Sequence, residues 1–299
     1  MLKNKNQINL NVTFKSGIFF VLSAGILWST VGLGVRLIDE ASVWQILFFR
    51  SISLTIFLLL VIYFLYKQNP LIIIIDNFYP SAIGGLALFL AYLSGIYSIQ
   101  MTTVANAMML FATAPFITAI LGRIVLKERV KIVTWIALIT AIIGVFIMVY
   151  DKNSDSDLKG NFSAFVSAIS FSIFTLSLRW GKSGNMLPSV FLSGIFGILI
   201  TTFICFQLGL TFFISINDLS ISLTMGVFQV GTGLVLYTLG SKALSATELT
   251  LVSMSEPLLG PFWVWLLLNE KIDMNTIIGA FTLFTAIIGN VYFSIRQHR

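Results

Sequence analysis

The sequence predicts an all-α polytopic membrane protein, with ten transmembrane helices arranged as two inverted five-helix repeats. Three observations carry this expectation. Charged residues make up 10% of the 299-residue chain and hydrophobic residues 57%, with a mean hydropathy of +0.96. A soluble domain carries about 25% charged residues, so no ordinary water-facing surface can be built from this chain and a soluble globular enzyme is excluded. The few charges also separate apolar stretches of bilayer-crossing length. Finally, landmarks of the first half recur in the second.

A helix needs about 20 apolar residues to cross the hydrocarbon core. Runs free of Asp, Glu, Lys and Arg extend over 16–35, 77–122, 132–150, 160–178, 183–217, 219–241 and 274–295. The 77–122 run is too long for one crossing and divides at Gln100-Met101-Thr102-Thr103. Two further stretches hold one internal charge each, Arg50 in 43–66 and Glu256 in 249–269. The resulting spans are 16–36, 43–66, 78–99, 103–126, 132–150, 160–180, 186–209, 218–241, 247–268 and 274–295. Helices are expected because a spanning backbone must satisfy its own hydrogen bonds, and the stretches lack the alternation of a membrane barrel. Lys3, Lys5 and Lys15 precede a first run of full span length with no small-residue cleavage site, which reads as a retained helix. The polar tail, 1–15, is expected to be disordered and cytoplasmic.

Orientation follows from the positive charges. With the N-terminus inside, the cytoplasmic side receives Lys3, Lys5, Lys15, Lys67, Arg123, Lys127, Arg129, Lys131, Arg179, Lys182, Lys242, Arg296 and Arg299. The outer side receives only Arg36, Lys152, Lys159 and Lys271. Both termini are therefore expected in the cytoplasm, with the chain in the cytoplasmic (inner) membrane. The net charge of +6 and pI near 9.5 are accounted for by topology, so no nucleic-acid partner is expected.

The repeat is visible residue by residue. Gly17 to Arg36 lies over Gly160 to Arg179 without a gap, placing Trp28-Ser29 over Phe171-Ser172. Pro115 precedes Leu126-Lys127-Glu128 at the distance at which Pro257 precedes Leu268-Asn269-Glu270, and Thr140-Ala-Ile-Ile-Gly144 recurs as Thr285-Ala-Ile-Ile-Gly289. The units are 16–150 and 158–296. Five spans in each means that the copies enter the membrane in opposite directions, the inverted-repeat plan of secondary transporters.

Leu27-Trp28-Ser29, Leu47-Phe48-Phe49-Arg50, Ala114-Pro115-Phe116 followed by Leu126-Lys127-Glu128, and the echo Glu256-Pro257 followed by Leu268-Asn269-Glu270 together resemble the EamA family of the drug/metabolite transporter superfamily. The resemblance covers about 16–295 and is specific for family, not for substrate. It implies a ten-helix fold, cytoplasmic termini and movement of small metabolites, often amino acids or related compounds and often outward. The first span carries Trp28-Ser29 where the family commonly has Trp-Gly.

Within this frame Glu256 is the most informative residue. It lies eight residues into its span, about 12 Å deep at 1.5 Å per residue, where an ionised carboxylate costs on the order of 2.5–3.5 kcal/mol. One reading makes it a proton carrier or a ligand for a cationic group. The other is structural: Pro257 frees a carbonyl near Ser253, which a protonated Glu256 satisfies. Ala114 precedes Pro115 in the other half, so the proline does not require the acid. Pro115 and Pro257 are the hinge candidates. For Arg50 a structural or gating ion pair near Arg36, Asp39 and Glu40 stands beside contact with a substrate's acid group. Ser253, Trp263, Asn106, Gln229, Tyr92 and Trp28 complete the substrate or coupling-ion candidates. On a continuous helix Val252, Ser253, Glu256, Gly260 and Trp263 would share one face.

The expected partners are a small-molecule substrate, membrane lipid and, through Glu256, a proton. No cofactor or metal is expected. The single Cys205 and single His298 rule out a His/Cys metal cluster, and no phosphate-cradling P-loop is present. The alternative function is an intramembrane enzyme or lipid-handling protein, for which the spans offer only Glu256 and Arg50 as charged groups.

Overall fold

The computed structural model describes residues 12–66, 78–101, 107, 110–149, 158–181, 186–268 and 274–297. Every regular element among them is helical. The expected disorder of 1–15 falls largely outside the described residues, as does Asn106.

Helix α1 (Phe14–Trp28) starts at Thr13, whose hydroxyl accepts from the Ser16 backbone N–H. It breaks at Ser29 and Thr30, whose hydroxyls donate to the carbonyls of Ile26 and Leu27, each at 2.7 Å. The short α2 (Val31–Arg36) continues it. There follow α3 (Val43–Tyr66), α4 (Phe78–Met101), α5 (Ala114–Val125), α6 (Ile132–Val149), α7 (Leu158–Trp180) and α8 (Leu187–Gln207). Next, α9 (Ile216–Thr224) passes through a π-helical segment, Met225–Thr232, into α10 (Gly233–Gly240). The chain closes with α11 (Ala246–Ser253), α12 (Ser255–Leu268) and α13 (Met274–Gln297). Ser245 and Glu248 form a reciprocal capping box at the start of α11.

Seven helices among the described residues are long and apolar enough to cross a membrane, and Ala114–Val125 and Ile132–Ile147 are shorter apolar helices. The exterior carries large exposed apolar side chains along its whole length, including Phe19, Phe64, Ile124, Ile132, Leu158 and Phe203. In water such a surface would aggregate; against lipid tails it costs nothing.

With little hydrophobic drive between helices in lipid, close packing through small residues holds the bundle together. Helix α4 lies along α7, and α1 along α10. The pairs α3 with α8, α5 with α11 and α6 with α13 complete the main contacts, while α8 also touches α4, and α3 also touches α9 and the π-helical segment. Glycines permit these approaches: a Cβ on Gly85 would come within 2.8 Å of the Ser189 carbonyl oxygen, and one on Gly226 would collide with the Arg50 carbonyl. At the α6–α13 crossing a Cβ on Gly144 would lie 2.8 Å from the Leu283 nitrogen.

One expectation is corrected here. The span containing Glu256 is not a continuous helix but turns at Met254, between α11 and α12. Pro257 cannot donate a backbone hydrogen bond, and the chain resolves this by restarting the helix so that the proline falls in a first turn, where no donor is needed. The common face proposed for Ser253, Glu256 and Trp263 is thereby lost. Pro115 occupies the corresponding place at the start of α5.

Candidate functional site

Near the middle of the bundle lies a cavity of about 160 Å³. Helix α1 ends beside it at Trp28, α3 contributes Arg50, α4 contributes Ala91, Tyr92, Gly95 and Ser98, and α7 contributes Ala164, Ser167 and Phe171. Gln229 and Val230 enter from the π-helical segment, and Glu256 and Pro257 from the first turn of α12. Six residues singled out from sequence, Trp28, Arg50, Tyr92, Gln229, Glu256 and Pro257, are brought together here.

The break at Met254 explains how a carboxylate can stand at this depth. Glu256 is in the first turn of α12, where unpaired backbone N–H groups and the helix dipole favour negative charge. Among the described residues its carboxyl has no hydrogen-bond partner, so the postulated bond to the Ser253 carbonyl is not made. Pro257 and the restarted helix remove the need for it.

Arg50 is 4% exposed, and its guanidinium carbon lies 4.7 Å from the centroid of the Tyr92 ring. The ring face attracts the cation in a dry setting. Among the described residues Arg50 has no carboxylate within ion-pair distance, which removes the structural ion pair with Asp39 or Glu40. Those residues instead give their backbone N–H groups, with that of Ala41, to Asp218 at 3.0–3.2 Å. Arg50 and Glu256 thus meet the same space as separate, opposite charges.

Several further polar atoms at the cavity are buried and lack a partner among the described residues: the Tyr92 hydroxyl, the Ser98 hydroxyl and the Gln229 side-chain oxygen. A buried polar atom without a partner costs about 1–3 kcal/mol, and a ligand bearing donors would recover it. The Gln229 amide N–H donates to the Trp28 carbonyl at 3.4 Å, linking the π-helical segment to the break in α1. The apolar wall comes from Trp28, Phe111 and Phe171; Phe111 and Phe171 have ring centroids 5.6 Å apart.

Two candidates lie elsewhere. Ser253 is buried and donates to the Thr250 carbonyl at 2.8 Å within α11. Trp263 donates from its indole nitrogen to the Ser29 hydroxyl at 2.7 Å, pinning α12 to the break between α1 and α2. Both hold the frame of the cavity and do not line it. Sequence reading did not single out Phe111, Ser98 or Ser167 as site residues. Phe111 carried no signal beyond an apolar position, and Ser98 and Ser167 none beyond that of small residues inside a span. Among the described residues no group of three or more His, Cys, Asp or Glu is placed to hold a metal.

A solved crystal structure superposes with a TM-score of 0.78 at 12% identity, covering 95% of this chain and 99% of its own, which identifies the fold. An uncharacterized transporter from Clostridium kluyveri is 26% identical over 230 residues, 72% of this chain and 71% of the relative. The model of the EamA-like transporter family matches residues 15–150 and again 158–292. A multi-pass apolar helical bundle enclosing a cavity with a few convergent polar and charged groups suits a membrane transporter, and this chain belongs to the EamA-like transporter family.

Proposed function

We propose that the protein is a secondary transporter that moves a small organic metabolite, an amino acid or related compound, across the cytoplasmic membrane by alternating access. The observation that carries this reading is the pair of opposite charges, Arg50 and Glu256, facing one cavity without an ion pair between them. A zwitterion answers both: its carboxylate meets the guanidinium fork, its ammonium meets the carboxylate and the Gln229 oxygen, and its apolar part lies on Trp28, Phe111 and Phe171. A volume of about 160 Å³ fits one such molecule and is below the range of about 300–1,000 Å³ for drug-sized ligands. Glu256 takes and releases the coupling proton. The expected direction, carried over from the family resemblance, is export.

The helix pairings support an inverted repeat of ten spans, with the shorter helices and the broken α11–α12 pair counted as crossings. Under a twofold exchange of halves, α4 along α7 becomes α10 along α1, and α8 on α4 becomes α3 on α9 and the π-helical segment. The pairs α3–α8, α5–α11 and α6–α13 map onto themselves. The two helix starts at Pro115 and Pro257 fit the discontinuous helices from which such transporters build midplane sites. The distribution of Lys and Arg supports cytoplasmic termini.

The test is a mass-spectrometric screen of metabolites in cells overproducing the protein and cells lacking it, followed by exchange of the candidate in proteoliposomes. Exchange is expected with the unaltered protein and is expected to fall in Arg50→Lys and Glu256→Gln. Undiminished exchange in both variants would place the pathway elsewhere.

A further inference from the structure

The cavity ends at Trp28 and Phe171, and beyond it along α7 the bundle is closed by two successive layers. One turn past Phe171 come Phe174 and Thr175, both fully buried. The Thr175 and Tyr237 hydroxyls share a hydrogen bond of 2.8 Å, and the Phe174 ring stacks on that of Tyr237 at 6.2 Å and 20°. A further turn along, Arg179 places Nε 3.0 Å and Nη2 2.9 Å from one carboxylate oxygen of Glu128. Its Nη1 donates to the Ser241 carbonyl at 2.8 Å, while the second Glu128 oxygen accepts from the Ala246 backbone N–H at 3.0 Å. One ion pair therefore ties the connection after α5, the end of α7, the end of α10 and the start of α11.

The local backbone is bent to make this possible. Lys127 takes a left-handed φ of 55°, uncommon for a residue with a side chain. The following Glu128 N–H turns back onto the Gly122 carbonyl at 3.1 Å. Glu128 is also the single acid in a run holding Arg123, Lys127, Arg129 and Lys131, so membrane anchoring by positive charge does not account for it.

We propose that Glu128 and Arg179 form the latch of a gate whose inner layer is the Thr175–Tyr237 contact, closed in this conformation at the end of the bundle away from the cavity. The role rests on the transporter reading, since a gate needs a pathway to close. The pair suits the task because its side chains retain 20% and 11% exposure, respectively. Charge-assisted bonds hold the closed arrangement, yet water stands close enough to solvate both ions when they part, which a fully buried pair would not allow. With the proposed topology this is the cytoplasmic gate, and substrate reaches the cavity from inside only when the latch opens.

The experiment uses the full chain in membranes of both orientations, with Thr175→Cys as reporter in a Cys205→Ser background and a membrane-impermeant thiol reagent. With the latch intact, labelling from the latch side is expected to be negligible. In Glu128→Gln and in Arg179→Gln it is expected to rise about tenfold, the scale set by loss of a hydrogen bond to a charged group. The double variant is expected to label no faster than either single one, because the two residues act as a unit. A second reporter, Ser98→Cys in the cavity, is expected to lose labelling from the opposite side in the same variants; a misfolded chain would gain it. Arg179→Lys, which keeps the charge and loses the fork, is expected to fall between. Unchanged labelling of Thr175→Cys in Glu128→Gln, Arg179→Gln and the double variant overturns the proposal. Shifted labelling without carriage of any metabolite leaves the latch standing and removes the transport reading, whereas intact transport with unshifted labelling does the reverse.

Discussion

Trp28 and Phe171, which occupy matching positions in the two halves of the chain, meet edge to face with ring centroids 6.0 Å apart and ring planes at 83°. Tyr237 lies against both, at 5.2 and 5.6 Å. A residue and its repeat partner touch only where the halves meet, so this contact marks the seam between them. Edge-to-face aromatic pairs are worth about 0.5–1.5 kcal/mol beyond their burial. Replacing Phe171 by Ala is expected to lower stability by about 3–5 kcal/mol, seen as a lower unfolding temperature in detergent. The enlarged cavity is also expected to accept bulkier substrates; an unchanged substrate range would place the wall elsewhere.

Glu256→Gln separates three roles. If exchange of substrate survives but dependence on a pH gradient disappears, the carboxyl carries the proton. Loss of substrate binding at every pH makes it the ligand of a cationic group. Full activity with an unchanged pH profile would remove both. The amide keeps the size of the side chain at the start of α12, so folding is expected to be retained.

Arg50→Lys tests recognition by geometry apart from charge. The substituted ammonium keeps the charge but loses the planar fork and its seat over Tyr92. Apparent affinity for a carboxylate-bearing substrate is expected to fall about tenfold or more, while the amount of folded protein in the membrane stays the same. A substrate lacking a carboxylate is expected to be affected much less.

Matching glycines give a test of packing free of any substrate. Gly144 and Gly289 end the same Thr-Ala-Ile-Ile-Gly echo, yet a Cβ on Gly144 would strike the α13 backbone whereas one on Gly289 would meet nothing within 4 Å. Gly144→Ala is expected to destabilise by about 1–3 kcal/mol. Gly289→Ala should be neutral or stabilise by a few tenths to 1 kcal/mol, through helix propensity. Equal unfolding temperatures for the two variants would contradict the α6–α13 crossing.

Topology is checked with reporter fusions at Asn153 and at the C-terminus, expected outside and inside respectively. Finding both on one side would remove the inverted arrangement.

How much of this was legible from sequence divides along physical lines. Apolar runs between charges located the helices, because the cost of placing Lys, Asp or Glu in lipid leaves a one-dimensional record. Asking which polar or charged residues lie inside spans singles out Arg50, Tyr92, Gln229 and Glu256, which line one cavity, together with Ser253, which does not. The breaks are harder to see. A proline inside an apolar run reads as a kink in a continuous helix, although Ser255-Glu256-Pro257 also has the composition of a helix start. Gln229 stood out as polar, but the π-helical turn that carries it leaves no compositional mark. The latch was hidden for a different reason: Glu128 sits among four basic residues that topology already explained.

The two charges at the cavity come from different halves. Arg50 belongs to the first, and the matching stretch of the second, 186–209, contains no Lys or Arg; Glu256 belongs to the second, where the first has Ala114. An assembly of two identical copies of either half would therefore bring together two guanidinium groups with no acid, or two carboxylates with no base. Like charges in so small a space disfavour one another's ionisation. Joining unlike halves balances the cavity. Either half on its own therefore lacks one of the two groups on which the charge balance of this cavity depends.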